Sequence, residues 1–370
     1  MTINHTNSSP QTVAVIGNWL HQKQEKMIIV DIGARGGQAE WQPIMPISLC
    51  IGFDPDEAEC QRMNQSHANM RIFPVALDAT SGAKTFHLAH SPYCSGFRPV
   101  NEAYYRRFAF YECHIVEQVT LTPTSLDAWA AGQDFHRFDF IKVDTEGSEI
   151  DILRGAQESL RARKCLGVLS EVWFEPHIKV GSGYGLSAIE TFLREQGFRL
   201  FDIQVHRWPR STMPVGPLRF TLEADGKIYP LPSAQPYAGS SNPWGQIMAG
   251  NLLFFRDPVA DWMQDPVAAR AFWDPDSLLR LIVLLDLYQY PDVALDILSC
   301  YADRFEPAFL GEVVMALLPL EFQGARINLN YSEYWNLSMQ MLKMTGNERF
   351  AALVDRLRIV PASLGVVATQ

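Results

Sequence analysis

Paired cysteines, long apolar runs and an excess of basic residues are all missing from this chain. Its six cysteines (Cys50, Cys60, Cys94, Cys113, Cys165 and Cys300) stand apart from one another. None has C-x-x-C spacing, which excludes a zinc knuckle or a thioredoxin-like motif. The expectation is reduced, mostly buried thiols in a cytoplasmic protein. The longest apolar stretch, Leu278 to Tyr288, is interrupted by Arg280 and Asp286 and is too short to span a bilayer. The opening MTINHTNSSPQT lacks the basic-then-apolar layout of a secretory signal. Lys and Arg number 31 against 41 Asp and Glu, a net charge of −10, which argues against a nucleic-acid backbone as the main partner.

What is present is an ordinary globular composition, 47% hydrophobic and 19% charged over 370 residues, suited to one large domain with an appendage. Three regions are expected. Residues 1–26 form an N-terminal segment, helical in part. Residues 27–256 alternate strand and helix, with insertions at 93–120 and 207–246. Residues 257–370 are helical, with stretches at 276–288, 292–305 and 332–345. In the middle region, short β-branched runs at Met27–Ile32, Leu49–Phe53, Met70–Leu77, Asp139–Asp144 and Leu166–Trp173 read as buried parallel strands. Helical patterns follow at 56–66, 146–163 and 187–196, and Leu252–Phe255 reads as a last, antiparallel strand. Together these imply a Rossmann-like, doubly wound α/β fold with a mostly parallel sheet and an all-helical C-terminal appendage.

The first strand runs into Asp31-Ile32-Gly33-Ala34-Arg35-Gly36-Gly37. Glycines there let the backbone turn tightly and approach a ligand closely, ahead of an expected helix N-terminus. Asp54 ends the second strand, where a carboxylate can accept bonds from both ribose hydroxyls. Nicotinamide dehydrogenases share that carboxylate, but they favour glycine at the position Asp31 occupies. A carboxylate at that position repels a pyrophosphate and suits the amino group of a methionine moiety. Gly33, Ala34, Arg35 and Gly37 join Asp31 and Asp54 as cofactor-binding candidates.

The second cluster is Asp139 to Glu149, DFIKVDTEGSE. Ligands of doubly wound sheets sit beyond the carboxyl ends of the strands, where Asp144 and Glu146 fall. Glu149 has a competing role as a cap for the following helix.

With these residues in view the chain resembles the FkbM-type methyltransferases, whose hallmark of lysine, aspartate and glutamates before a leucine-x-glycine-alanine helix reads here IKVDTEGSEIDILRGA, Ile141 to Ala156. The Asp31–Gly37 loop, Asp54-Pro55, Val75-Ala76-Leu77 and Ser125-Leu126-Asp127 also match, over roughly residues 27–206. The family often has Asn or Asp where Arg35 stands and commonly glutamate where Asp54 stands. The resemblance implies a class I fold, S-adenosylmethionine as cofactor with Ala76 and Leu77 beside the adenine, and methyl transfer to a hydroxyl of a sugar, glycan or secondary metabolite.

A hydroxyl needs a general base, and Asp144, Glu146 and Glu171 are the candidates, with His177 a further option. The same carboxylates can instead hold Mg²⁺, the second choice, and no metal ligand set is assigned. In the 93–120 insertion, Tyr93, Tyr104 and Tyr105 suit a sugar face and Arg106 or Arg107 an anionic group, against the alternative that the aromatics pack on the sheet. Three rival readings are weighed against the residues: an NAD-dependent oxidoreductase, a non-catalytic module whose helical tail binds a protein partner or self-associates, and an RNA methyltransferase, which the negative charge disfavours. The expected partner is a small-molecule or glycan acceptor, with no nucleic acid and no membrane span.

Overall fold

The computed structural model describes residues 6–36, 39–65, 68–108, 113–133, 135–161, 164–174, 184–212, 220–222, 226–230, 245–318, 321–322, 325–326, 329–348 and 364. It divides into two compact units. One takes Ile28–Ala39 and Leu49–Arg256; the other takes His5–Met27, Glu40–Ser48 and Asp257–Gln370.

The first unit is built on a seven-stranded sheet. Its strands are β1 (Met27–Ile32), β2 (Ser48–Phe53), β3 (Met70–Phe73), β6 (Phe140–Val143), β7 (Gly167–Trp173), β8 (Phe198–Trp208) and β11 (Gln246–Arg256), ordered β3-β2-β1-β6-β7-β11-β8. The pairs β2–β3, β1–β6 and β6–β7 are parallel, and β11 is antiparallel to both β7 and β8. The apolar runs of the sequence are therefore the strands expected of a mostly parallel sheet. Helices α2 (Glu57–Asn64), α3 (Glu102–Tyr105), α4 (Leu126–Ala131) and α7 (Leu186–Glu195) belong to the same unit. Val30, Ile51, Ile141, Val143 and Val168 are fully buried and share one core with Leu153 and Leu160 from the crossover helices. Each such side chain contributes ~1.5–3 kcal/mol relative to exposure.

Several strands go beyond the sequence reading. β8 carries no apolar signal because, as the edge strand, it mixes buried with exposed and half-buried residues along FRLFDIQVHRW. The 93–120 insertion is flanked by a ribbon of β4 (Lys84–Ala89) and β5 (Ile115–Leu121). The 207–246 excursion holds a short ladder of β9 (Phe220–Leu222) and β10 (Ile228–Pro230), and most of it lies outside the described residues.

The helix expected over 146–163 is two pieces, α5 (Glu149–Arg154) and α6 (Gln157–Leu160). Gly155 stands at the break, where its missing side chain lets another segment approach: a Cβ there would lie 2.7 Å from the Asp78 carbonyl oxygen. Asp127 of the Ser-Leu-Asp run restarts the helix, its carboxylate accepting from the Glu158 and Ser159 amides at 2.8 Å each.

The second unit gathers α1 (Thr12–Gln22) with α8 (Pro258–Gln264), α9 (Pro266–Phe272), α10 (Pro275–Leu287), α11 (Pro291–Cys300), α12 (Pro307–Leu317) and α13 (Tyr331–Met344), plus a two-residue ladder of β12 (Glu321–Phe322) and β13 (Ala325–Arg326). Residues 278–287 of α10 are buried all round, including both charged positions. Asp286 accepts from the Thr12 amide and hydroxyl at 3.2 and 2.7 Å, and Arg280 pairs with Glu25. Trp19 of α1 stacks on Phe309 at 5.1 Å between centroids and donates to Asp276 at 2.9 Å. No helix among the described residues is long and apolar enough to cross a membrane. All six cysteines are unpaired and buried.

Candidate active site

Asp31, Gly33, Asp54, Asp144 and Glu146 lie at or just beyond the carboxyl ends of β1, β2 and β6, and Glu171 lies on β7. Asp31 is 2% exposed and pairs in register with Lys142. That register explains a contact the sequence did not suggest: the Lys142 ammonium lies 3.3 Å from Asp31 Oδ1 and 3.4 Å from Asp144 Oδ2.

Gly33 has φ +82°, and a Cβ on it would lie 1.8 Å from the Asp144 carbonyl oxygen. Its missing side chain thus makes room for the loop after β6. The amides of Gly33 and Ala34 both donate to the Phe53 carbonyl, at 3.0 and 3.1 Å, tying the loop to the end of β2. Gly36, φ +86°, lies under the ring of Tyr93, which would be 2.6 Å from a Cβ there. The chain then enters a 3₁₀ helix, Ala39–Ile47, interrupted by Pro43 and Pro46, rather than the α-helix expected after this loop. Gly37 lies outside the described residues.

Asp54 ends β2 and is 5% exposed. Its Oδ1 accepts from the Asp56 amide at 2.8 Å and from Arg35 at 3.4 Å, while Arg35 also holds Asp56 at 2.6 Å. Burial raises Asp54 above its ordinary range against the pull of these donors. Beyond β3, the Ala76 carbonyl accepts from the Thr124 amide at 3.1 Å, and Leu77 is buried in the main core.

One carboxylate oxygen from each of Asp144, Glu146 and Glu171 lies within 4.8 Å of the other two. Asp144 follows Val143, the register partner of Ser170, which brings it level with Glu171. Glu146 has φ +58°, uncommon for a residue with a side chain, on a turn closed by Glu149. Glu149 Oε1 accepts from the amides of Thr145 and Gly147 at 2.9 and 3.0 Å and from the Thr145 hydroxyl at 3.2 Å. Glu149 therefore braces the loop and stands outside the cluster.

The environments divide the three acids. Although burial works against its charge, Asp144 is drawn below the usual carboxylate range by the Lys142 ammonium. Burial pushes Glu146 well up, reinforced by neighbouring Cys94 and the charges of Asp144 and Glu149. Glu171, 2% exposed, is pushed well up in the same way by burial and then by Asp144, Glu146 and Glu149.

His206 of β8 joins this end of the sheet through its register partner Ala249, which also pairs with Trp173 two residues past Glu171. It is 1% exposed, and burial lowers its pKa to about 4, so the ring is neutral near pH 7. Nothing in the sequence marks it, because only the β7–β11–β8 register brings it here. His177 lies outside the described residues.

The insertion is mainly packed. Tyr105 is buried with Phe108, Cys113 and Trp208, and its hydroxyl accepts from the Cys113 amide at 3.1 Å, so it is not a free stacking platform. Arg107 lies over the Tyr104 ring and Arg106 reaches Glu102 at 3.7 Å. Tyr93 stays 62% exposed.

Residues 31–200 match the family model described as the methyltransferase FkbM domain. No curated protein matches the chain. Solved structures that it matches include magnesium protoporphyrin IX methyltransferase from Synechocystis PCC 6803 with bound SAM, at 10% identity over 67% of this chain and 79% of that one, TM-score 0.30. A putative RNA methyltransferase from Pyrococcus horikoshii matches at 10% identity over 66% and 82%, TM-score 0.28. The 1,6-didemethyltoxoflavin-N1-methyltransferase of Burkholderia thailandensis matches at 10% over 67% and 79%, TM-score 0.28. The motif-bearing sheet edge lies within the segment, residues 31–200, that matches the methyltransferase FkbM domain.

Proposed function

We propose that this protein transfers the methyl group of S-adenosylmethionine to a hydroxyl of a sugar, glycan or secondary metabolite. The observation that carries the reading is the convergence of Asp144, Glu146 and Glu171 within 4.8 Å at the carboxyl edge that also holds Asp31 and Asp54.

The residues suit that cofactor. Asp31 and Asp144 offer negative charge to its amino group and sulfonium. Both described contacts of the Asp54 carboxylate fall on Oδ1, which leaves Oδ2 for a ribose hydroxyl. The close turn at Gly33, Ala34 and Arg35, the sequence candidate Gly37 and the Ala76-Leu77 segment complete the proposed binding set. When bound, the cofactor supplies a methyl group on a cationic sulfur. As the bond from methyl to sulfur breaks and the bond to the acceptor oxygen forms, the hydroxyl proton passes to a carboxylate oxygen of the cluster. Glu146, whose turn is fixed by Glu149, is the first choice. A base so placed contributes ~10²–10⁴-fold.

Calorimetry on the full chain with S-adenosylmethionine and NAD separates this reading from the oxidoreductase: binding of NAD alone would refute it. Assay with isotopically labelled methyl donor against hydroxyl-bearing acceptors then tests turnover. Glu146→Gln should keep cofactor affinity and lose activity by ~10²-fold or more. Full activity in this variant, in Asp144→Asn and in Glu171→Gln would remove the carboxylate base.

A further inference from the structure

Asp31, Asp144, Glu146 and Glu171 meet at one sheet edge, and among the described residues the cation contacting them is Lys142, already shared between Asp31 and Asp144. Glu171 Oε2 is buried with no hydrogen-bond partner among the described residues, and so are both ring nitrogens of His206. A buried carboxylate oxygen without a donor carries a desolvation penalty that native structures rarely leave unmet, so its presence points to a group that belongs there.

We propose that Asp144, Glu146 and Glu171 hold a hard divalent cation, Mg²⁺ or Mn²⁺. The inference rests on the methyltransferase reading and deepens it, bringing forward the ion that the sequence alone ranked second. The spacing fits. Mg²⁺ ligands at roughly 2.0–2.1 Å are roughly 2.9 Å apart when adjacent and roughly 4.0–4.2 Å when opposite, so three oxygens within 4.8 Å of one another close on one ion through small side-chain shifts. The donor set is all oxygen, and no cysteine belongs to it, which favours Mg²⁺ or Mn²⁺ over zinc or copper(I). Each residue spends one oxygen on the ion, so the second oxygen of Glu146 still accepts the proton.

The ion defines the acceptor class. Three protein oxygens leave about half of an octahedron open, enough for two adjacent oxygens of one acceptor. A hydroxyl flanked by a second hydroxyl or a carbonyl, as on a sugar ring, therefore binds better than an isolated alcohol. Its pKa falls on coordination, which eases transfer of its proton to Glu146.

The test uses the full chain stripped with EDTA and returned to Mn²⁺, read by electron paramagnetic resonance, with cofactor affinity measured by calorimetry on the same samples. Stoichiometric Mn²⁺ binding is expected, competed by Mg²⁺ and weakened ~10-fold or more by Glu171→Gln. Asp144→Asn serves as the second variant if Glu171→Gln does not fold, and thermal melts report folding in both. No Mn²⁺ uptake by the wild-type chain with cofactor present, or unchanged uptake in a folded variant, overturns the cation site. Those results with S-adenosylmethionine still bound leave the methyltransferase reading standing, whereas loss of cofactor binding in the stripped and reloaded wild-type chain alike strikes that reading itself.

Discussion

The Arg35 guanidinium reaches from the loop after β1 to Asp54 at the end of β2, 3.4 Å from its Oδ1, and continues to Asp56 at 2.6 Å. It steers the carboxylate proposed to meet the ribose and joins the two loops proposed to frame the cofactor.

Asp54→Ala should therefore weaken S-adenosylmethionine binding by ~10-fold or more, the cost of one charge-assisted hydrogen bond. Arg35→Ala removes orientation but not the acceptor, so its loss should be smaller. Titration calorimetry on the two variants checks the order; an Arg35 effect equal to that of Asp54 would show that the arginine itself contacts the ligand.

Gly33→Ala puts a Cβ 1.8 Å from the Asp144 carbonyl and forces a side chain onto φ +82°. A loss of ~2–4 kcal/mol in unfolding free energy is expected. Gly311 in α12 is exposed, and a Cβ added there would meet nothing within 4 Å. Gly311→Ala should accordingly gain ~0.5–1 kcal/mol. Urea titrations of both give the comparison.

The depressed pKa of His206, from 6.5 to about 4, sets a sign for acid stability. Above pH 6.5 the ring is neutral folded or unfolded and contributes nothing to the slope. Below it the unfolded chain takes up a proton that the native state refuses, so stability falls toward pH 4 by roughly 3 kcal/mol at most. Replacing the ring by His206→Leu should flatten that limb. Parallel acid slopes for variant and wild type, from denaturant unfolding at several pH values, would contradict the assignment.

A chain ending after Arg256 should aggregate. Ile16 and Leu20 of α1 are 0% and 1% exposed, and α1 packs with α10 and α12 inside the helical unit. Deleting those helices bares an apolar face. Light scattering of the truncated protein reads this directly, and a monodisperse product would count against it.

Much of the sheet could be read from residues alone. β1, β2, β6 and β7 are short apolar runs buried on both faces, and this pattern separates them from helices. The missing signal for β8 is physical: an edge strand need not be apolar. Three helix starts did carry a local mark, Asp257-Pro258, Asp265-Pro266 and Asp274-Pro275, each with a capping aspartate before a first-turn proline. In the site, Asp31, Asp54, Asp144, Glu146 and Glu171 were legible because strand ends were. Lys142 beside Asp31, 111 residues away, and His206 beyond Glu171 were not, because strand register decides both.

The bond from Thr12 to Asp286 spans 274 residues, which makes it a statement about time as well as structure. At ~5–20 residues per second, α1 leaves the ribosome roughly 14–55 s before the helix that buries it has been made. Through that interval α1 lacks the packing of α10 and α12, while most of the α/β unit is synthesised behind it. The helical unit is thus begun first and closed last, and during synthesis the first helix is the segment that a holding chaperone would be expected to cover.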